Sequence, residues 1–489
     1  MNSFLERRAA SATWWSALEI AARYSVQLLV LIVLARLLTP ADFGLIAMLL
    51  VFTSVAALLV DAGFGTALVQ KQQTTDDDET TVFLSGLGVG VVVAVVLWLA
   101  APAIAAFYAQ PALISLTRLL LFVLPLGALA AVPDALLTQR LEFRSRASAE
   151  VIASLCSGVV AVILAWRGFG VWSLAWQAIV AIGMRALLLW MFSGWRPRGC
   201  FNVASFRSLF GFGSYILMAN LLNIISLRLQ SLLIGKLFDV RALGYYTLAQ
   251  NTQLAPAQFM SGVLNRVGLP VFSQVADQPA KMLGGFRLSL RVSFFVFVPC
   301  MVGLAVVAKP VITIAYGYSW VGAAPFLSLL SLATVFWPLH VLNLAVIGAQ
   351  GRSDLLFKLE VVKDVASVIL IVIGSQFSVI AVAWAALASS LFSVCINTWY
   401  SHKLLGYGLF AQLHDQSATL LLSAVAASVA WSASHWLTHA PLALLVAVLS
   451  AAATYFGLAV LFRVKALHDL LSLLRSWRSP TMSIVEPLE

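Results

Sequence analysis

Long apolar runs alternate with short polar connections along the whole chain. A helix needs about 20 residues to cross a hydrocarbon core of roughly 30 Å. About fourteen runs have this character, at approximately 14–38, 43–60, 82–107, 113–133, 147–166, 171–193, 209–235, 243–269, 288–312, 323–348, 355–376, 379–400, 417–437 and 441–462. None reads as the ~10-residue alternating strands of a membrane barrel. The pattern predicts an all-α integral membrane protein of about 14 transmembrane helices.

Composition agrees with this pattern. Hydrophobic residues make up 61% of the chain, charged residues only 10%, and the mean hydropathy is +0.96. Soluble domains carry roughly 25% charged residues, so a soluble fold is excluded. The first run lacks a small-residue cleavage site, and we expect a retained helix rather than a signal peptide.

The distribution of basic residues predicts how the chain is oriented in the membrane. With the amino terminus inside, 20 of the 30 Lys and Arg residues fall on the inner side, 5 on the outer side and 5 within spans. Since basic residues concentrate in cytoplasmic loops, both termini are predicted to be cytoplasmic. This bias also accounts for the net charge of +10, so no nucleic-acid partner is expected. The four widely spaced cysteines indicate neither a disulfide framework nor a metal site.

An internal repeat with an offset of 200 residues predicts the domain organisation. Ala35–Leu38 leads through a short turn to Gly44, and Gly235–Phe238 leads likewise to Gly244. Both copies start inside and end outside, as parallel repeats about an axis along the membrane normal do. We therefore expect two pseudo-symmetric six-helix lobes and a final helix pair, at residues 1–205, 206–410 and 411–489.

Ionisable residues inside spans cost roughly 2.5–3.5 kcal/mol each on insertion scales, so each is a candidate site residue. Arg23 lies about 13 Å beyond the interfacial Trp14 and Trp15, near mid-membrane. Glu19, Arg23 and Gln27 share one helix face at four-residue spacing. Two readings stay open: a Glu–Arg pair that fixes helix packing, or the lining of a hydrated cavity that offers Arg23 to an anionic ligand.

Polar side chains also repeat at three- and four-residue intervals on the seventh and eighth predicted helices. These are Asn220, Asn223, Ser226 and Gln230, then Gln250, Asn251, Gln258, Ser261 and Asn265. They form either a shared wet surface or polar contacts between helices. Arg266 flanks the second stripe, whereas Arg228 points nearly opposite to the first. Arg118 and Arg185 are expected to reach the interface or to pair, and a site role for them is the alternative.

A short segment after the second span predicts a broken or re-entrant element. Asp61, Gly63 and Gly65 lie at its cytoplasmic end, where glycine permits irregular backbone, and we interpret them as a candidate gate. The neighbouring Asp76–Glu79 is expected to be a solvated charge cluster rather than an ion site. Lys236 follows a glycine, but the phosphate-loop pattern is missing, so ATP hydrolysis by that route is excluded. We expect no enzyme activity, cofactor or metal.

Five runs of residues carry a family resemblance: Leu34–Gly44, Asp61–Gln70, Gly168–Trp172, Trp195–Pro197 and Ala349–Arg352. They resemble polysaccharide transporters of the multidrug/oligosaccharidyl-lipid/polysaccharide exporter superfamily, most of all Wzx-type flippases of exopolysaccharide and lipopolysaccharide assembly. The resemblance implies a V-shaped, two-lobed bundle that moves an undecaprenyl-diphosphate-linked repeat unit across the bacterial inner membrane by alternating access.

The same resemblance implies a cationic lumen, for which Arg23 and Arg266 are the matching positions. Lipid-linked oligosaccharide and membrane lipid are the expected ligands, and a polysaccharide polymerase and chain-length proteins are candidate partners. One position departs from the family. Relatives often read Asn-x-x-Ser-x-x-x-Asp, whereas here Gln230 follows Asn223 and Ser226, so ion coupling through that position is not expected.

Two alternatives stay open. A multidrug cation exporter would share the fold, but it would require an acidic, aromatic cavity, whereas most intramembrane charges here are arginines. A membrane polysaccharide polymerase or ligase would require a large outer loop with catalytic groups, and all predicted outer loops are short.

Overall fold

The structure, a computed structural model, describes residues 25–71, 73–274, 278–436 and 440–478, and over these residues the regular structure is helical, without strands. The helices in chain order are α1 Ser25–Leu37, α2 Pro40–Asp61, α3 Phe64–Gln70, α4 Asp76–Tyr108, α5 Ala112–Leu120, α6 Val123–Gln139, α7 Phe143–Trp166, α8 Val171–Ser193, α9 Val203–Leu237, α10 Val240–Gln274, α11 Pro279–Val306, α12 Ala308–Ala315, η1 Tyr318–Ala323, α13 Ala324–Thr334, α14 Trp337–Ala349, α15 Ser353–Ser375, α16 Val379–Leu405, α17 Leu409–Trp436, α18 Ala440–Leu461 and α19 Lys465–Arg478.

Eleven helical stretches of the described residues are long and apolar enough to cross a membrane. The prediction of an all-α membrane protein is therefore confirmed. The other three predicted spans correspond to α1, which is short within the described residues, to α10, which is helical but less apolar, and to α15, which is helical but carries five charged residues. The total of 14 spans and the orientation of the termini stay predictions.

The acidic turn Asp76–Glu79 corrects an expectation. It is not a solvated loop but the first turn of α4, where the Thr75 side chain accepts a hydrogen bond from the Asp78 backbone and Asp78 accepts one from Thr75. The Lys71 ammonium lies 2.6 Å from the nearly buried Asp78 carboxylate. Negative charge at a helix amino terminus is favourable, because the unpaired N–H groups there carry partial positive charge.

The same turn binds the segment that leads into α9. The Trp195 indole donates to Glu79 at 2.6 Å, and the Cys200 backbone N–H donates to Asp77 at 2.8 Å. Gly199 packs directly on this turn, since a Cβ there would lie 2.4 Å from the Asp76 carbonyl oxygen. The connection between α8 and α9 is thus fixed rather than loose.

The two copies of the repeat meet at the starts of α2 and α10. A Cβ on Gly44 would lie 2.0 Å from the carbonyl oxygen of Val240, and a Cβ on Gly244 would lie 1.8 Å from that of Pro40. Each glycine therefore lets the first turn of the other helix approach to backbone contact. This reciprocity is what repeats related by a two-fold axis produce.

The helices pack into two compact units. The first runs to Thr252 and takes in Ile371–Val382, and the second comprises Gln253–Leu370 and the chain from Ala383 onward. The first has a core around the α3 residues Phe64 and Leu68. The second has a larger core, built on α11, α14 and α16. The predicted lobe limits follow the repeat rather than this packing, and they stay predictions.

Candidate functional site

The predicted lumen residues fall at the limits of what the structure describes. Arg23 and Glu19 lie outside the described residues, and Gln27 is exposed on α1. Arg266 lies in α10, in a stretch whose side chains are likewise outside the description. A lumen formed by Arg23 and Arg266 stays a prediction.

The polar stripes on α9 and α10 divide into exposed and bonded residues. The exposed amides share solvent-accessible positions along the two helices: Asn220, Asn223, Asn251 and Gln258. Gln230 instead accepts a hydrogen bond from the buried hydroxyl of Tyr246, and Ser261 accepts one from Trp337 at 2.5 Å. Gln250, Ser226 and Arg228 are partly buried. The stripes thus combine helix-to-helix contacts with an exposed polar surface.

The segment after α2 is a helix break, as its glycines predict. Ala62 and Gly63 both have left-handed backbone, with φ of 46° and 74°, and α3 starts directly after them. A Cβ on Gly63 would lie 2.3 Å from the carbonyl oxygen of Gly213 on α9, so only glycine fits. The Asp61 carboxylate faces the backbone N–H groups of Gly63 and Gly65. A role of this break as a gate stays a prediction.

A cavity of about 470 Å³ opens beside this break, within the first unit. It is enclosed by α2, α3, α6, α7 and α8, and its wall consists mainly of small and aliphatic side chains. Its charged lining residues are Asp61, Asp134, Arg146 and Arg185. None of the described residues that line it is aromatic. A cavity with two guanidinium groups, two carboxylates and an otherwise largely apolar wall can hold an anionic group that takes the place of a carboxylate.

One carboxylate bridges the two arginines. Asp134 Oδ1 lies 2.8 Å from Arg146 Nε, and Asp134 Oδ2 lies 3.1 Å from an Arg185 terminal nitrogen. Arg185 Nε also contacts Glu150 at 2.8 Å. All four side chains remain partly exposed, between 23% and 41%. The network is therefore not sealed inside the protein, and its members can exchange partners more readily than a fully buried ion pair can.

Sequence reasoning missed most of this network because it placed two helix ends wrongly. The predicted fourth span ended at residue 133, whereas α6 continues to Gln139 and carries Asp134. The predicted fifth span began at residue 147, whereas α7 begins at Phe143 and carries Arg146. The four-residue spacing of Arg146 and Glu150 was the available signal. Arg185 forms ion pairs with Asp134 and Glu150, and pairing was one of the predictions for this residue.

The second unit has a mostly uncharged polar core. The His340 ring lies 3.3 Å from both Ser390 Oγ and Asn397 Nδ2. Asn343, one turn further along α14, exchanges two hydrogen bonds of 3.1 Å with Gln412 of α17. These contacts join α14 to α16 and α17, which is the role of polar contacts between membrane helices.

The turn after α14 contains a charged contact outside the predicted spans. Arg352 donates to both carboxylate oxygens of Asp354, at 3.1 Å and 3.3 Å. These hydrogen bonds hold the pKa of the Asp354 carboxyl below its usual value and raise that of the Arg352 guanidinium. Because both side chains are exposed, the contact orders the turn without forming a site.

Comparison with known proteins shows what this architecture resembles. The chain is 24% identical over 462 residues to the teichuronic acid biosynthesis protein TuaB of Bacillus subtilis (strain 168), covering 92% of this chain and 95% of that protein. It is 27% identical to the succinoglycan biosynthesis transport protein ExoT of Rhizobium meliloti (strain 1021), covering 94% and 93%. It is also 27% identical to the lipopolysaccharide biosynthesis protein WzxC of Escherichia coli (strain K12), covering 76% of each.

Solved structures show the fold. The lipid II flippase MurJ in an inward closed conformation matches with a TM-score of 0.75 at 14% sequence identity, covering 93% of this chain and 98% of MurJ. A MATE multidrug resistance transporter in an inward-facing conformation matches with a TM-score of 0.63 at 14% identity, covering 78% and 94%. The fold is therefore shared by transporters of different substrates and does not choose between them.

A family model described as polysaccharide biosynthesis protein matches residues 33–325. This segment includes α2 to α12 and the charged cavity, and it contains four of the five runs that carried the resemblance. The chain belongs to the polysaccharide biosynthesis protein family, and its resemblance to Wzx-type flippases of the multidrug/oligosaccharidyl-lipid/polysaccharide exporter superfamily is confirmed.

Proposed function

We propose that this protein is a flippase, which carries undecaprenyl-diphosphate-linked oligosaccharide repeat units from the cytoplasmic to the periplasmic leaflet of a bacterial inner membrane for exopolysaccharide or lipopolysaccharide biosynthesis. The observation that carries the proposal is the cavity in which Arg146 and Arg185 lie beside one another among helices that cross the membrane. The family and the names of its relatives support the same class of substrate.

The physical problem that such a protein solves is the charge of the headgroup. Transfer of an ion into hydrocarbon has an idealised cost of order 20 kcal/mol, so a diphosphate does not cross unaided. Guanidinium groups bind phosphate oxygens through paired, charge-assisted hydrogen bonds and replace the lost water. The polyprenyl tail can stay in lipid throughout, because it is itself apolar.

The positions of Arg146 and Arg185 fit entry of the substrate from the cytoplasmic side of the membrane. Arg185 lies eight residues before the end of α8, which is about 12 Å along the helix, and Arg146 lies within the first turn of α7. Both ends face the cytoplasm in the predicted orientation. The diphosphate would enter the cavity from the inner leaflet, where the lipid-linked unit is assembled, and a rocking motion of the lobes would then carry it toward the periplasmic side.

Exposed amides give the sugars a wet path. Asn220 and Asn223 on α9 and Asn251 on α10 are exposed and can exchange hydrogen bonds with hydroxyl groups. Arg23 and Arg266 would continue the cationic path, as the family resemblance implies. Glu19, Gln27, Gln230, Gln250 and Arg228 complete the proposed lining, and Asp61, Gly63 and Gly65 the proposed gate.

A multidrug cation exporter is the second candidate, because it shares the fold. The cavity does not favour it. Organic cations are bound by carboxylates and aromatic faces, whereas the described lining residues include no aromatic ring, and Arg146 and Arg185 both pair with the lining carboxylate of Asp134.

The test is transfer in liposomes. The purified protein is reconstituted, and the transfer of a short-chain polyprenyl-diphosphate oligosaccharide between leaflets is measured for the wild type and for Arg146→Gln/Arg185→Gln. Loss of charged hydrogen bonds to the headgroup should slow transfer by about tenfold to a hundredfold. Arg118→Gln is the matched control, since this exposed intramembrane arginine stacks on Trp98 and does not line the cavity.

Two further outcomes are informative. Arg23→Ala and Arg266→Ala test whether the cationic path extends beyond the cavity, and each should lower transfer with the protein still folded. If the wild type leaves the glycolipid in place but accumulates organic cations, the exporter assignment replaces this one.

A further inference from the structure

We propose that Asp134 is an internal substitute for the substrate phosphate, which the incoming diphosphate displaces from Arg146 and Arg185. This inference rests on the proposed function, because it takes the ligand to be a polyprenyl-linked diphosphate. The observation that supports the inference is the geometry of the ion pairs. The two oxygens of one carboxylate each engage a different guanidinium, at 2.8 Å and 3.1 Å, in a cavity that is open to further groups.

The bridging arrangement is the one that a phosphate group would adopt. A phosphate also presents two or more oxygens to neighbouring guanidiniums, but it carries more charge and more acceptor positions than a carboxylate. Asp134 is 23% exposed and Arg146 is 41% exposed, so a ligand in the cavity can reach this pair. Ion pairs that are not fully buried are weak, and a stronger anion can replace the carboxylate.

Glu150, the second ion-pair partner of Arg185, limits the structural change that this exchange requires. Glu150 holds Arg185 Nε at 2.8 Å from the other side, so the guanidinium keeps its position when Asp134 leaves. Arg146 has Asp134 as its ion-pair partner among the described residues. The exchange therefore displaces only the Asp134 carboxylate and leaves α7 and α8 in their positions.

The charges around Asp134 predict what happens to it after displacement. From the elements that pack on α6, the cavity receives Asp61 of α2, Arg146 of α7 and Arg185 of α8, with Glu150 behind Arg185. The cavity-lining residues of α3 are uncharged, and the acidic turn of α4 is bonded to the segment before α9. A freed Asp134 would thus face Asp61 and a diphosphate, which carry charge of the same sign.

The experiment measures binding to the purified full-length protein in detergent. The probe is a short-chain polyprenyl-diphosphate sugar, whose two phosphates do not titrate near neutral pH. Asp134→Asn keeps the size of the side chain and removes its charge, so it should tighten binding by about fivefold or more, the usual scale of coupling between ligands. Asp415→Asn is the matched control, because the Asp415 carboxylate pairs with Arg287 in the second unit. The Asp415→Asn protein should bind the probe with the affinity of the wild type. Thermal unfolding of both variants shows whether they are folded.

The outcomes separate this inference from the proposed function. Weaker or unchanged binding by folded Asp134→Asn would show that Asp134 only holds the arginines in place. The flippase proposal would then stand or fall on liposome transfer alone. A wild type that binds no diphosphate probe overturns the inference, and its failure to transfer glycolipid in liposomes would overturn the proposed function as well.

Discussion

The close approach of the two repeats gives a sharp prediction for Gly244→Ala. The new Cβ would lie 1.8 Å from the carbonyl oxygen and 2.7 Å from the carbonyl carbon of Pro40. Ordinary contacts to a Cβ begin near 3.4 Å, so the starts of α2 and α10 must separate by about 1.5 Å. The blocking atoms belong to the backbone and cannot rotate away. We expect the free energy of unfolding to fall by about 3 kcal/mol, the upper end for overpacked positions.

The measurement is unfolding of the purified protein in mixed micelles of increasing SDS content, followed by tryptophan fluorescence. Gly44→Ala should destabilise the protein similarly, since its Cβ would lie 2.0 Å from the Val240 carbonyl oxygen. Gly88→Ala is the matched control, because a Cβ there meets nothing within 4 Å, and alanine stabilises a helix interior by about 0.5–1 kcal/mol. Wild-type stability of Gly244→Ala and Gly44→Ala would refute the reciprocal contact.

Three other contacts give further predictions. Trp195→Phe removes the 2.6 Å hydrogen bond to Glu79 and should lower the free energy of unfolding by about 1–3 kcal/mol, measured by SDS titration; a smaller loss in the Glu79→Ala background, which has no acceptor, would attribute the effect to this bond. Asn343→Leu leaves the buried Gln412 without two of its hydrogen bonds and should cost about 1–3 kcal/mol, whereas an unchanged stability would mean that water replaces them. Asp469→Asn breaks a 2.9 Å ion pair between α19 and α11, and limited proteolysis should cut within α19 sooner than in the wild type; an unchanged rate would show that apolar packing alone holds this helix.

The residues that carry the family resemblance lie at connections between helices. Gly44 lies in the first turns of α2, the run that begins at Asp61 contains a helix break, and Trp195 lies in the segment that binds α4. Connections require particular backbone angles and close contacts that few residues meet, whereas many apolar residues suit a membrane span. Short motifs at connections were therefore more informative about the family than the long spans.

The membrane-helical fold class, the helix break after α2 and the internal repeat could be predicted from the sequence, because each depends on local features. The length of an apolar run is enough to indicate a membrane helix, and glycine two residues after Asp61 is enough to indicate irregular backbone. The spans predicted at α10 and α15 are helical in the structure, but whether they cross the membrane stays a prediction because of their polar and charged residues.

The charged cavity depended on tertiary structure. Asp134, Arg146 and Arg185 lie on three helices, and Asp134 and Arg185 are 51 positions apart in the sequence. Their contact depends on the rotation and axial position of α6, α7 and α8, which packing fixes and which the sequence pattern of each helix leaves open. The sequence alone determined the membrane-helical class, the repeat and the family resemblance, because these depend on local composition and spacing. Only the tertiary structure decided which charges meet, because an ion pair requires side chains from different helices to lie within about 4 Å.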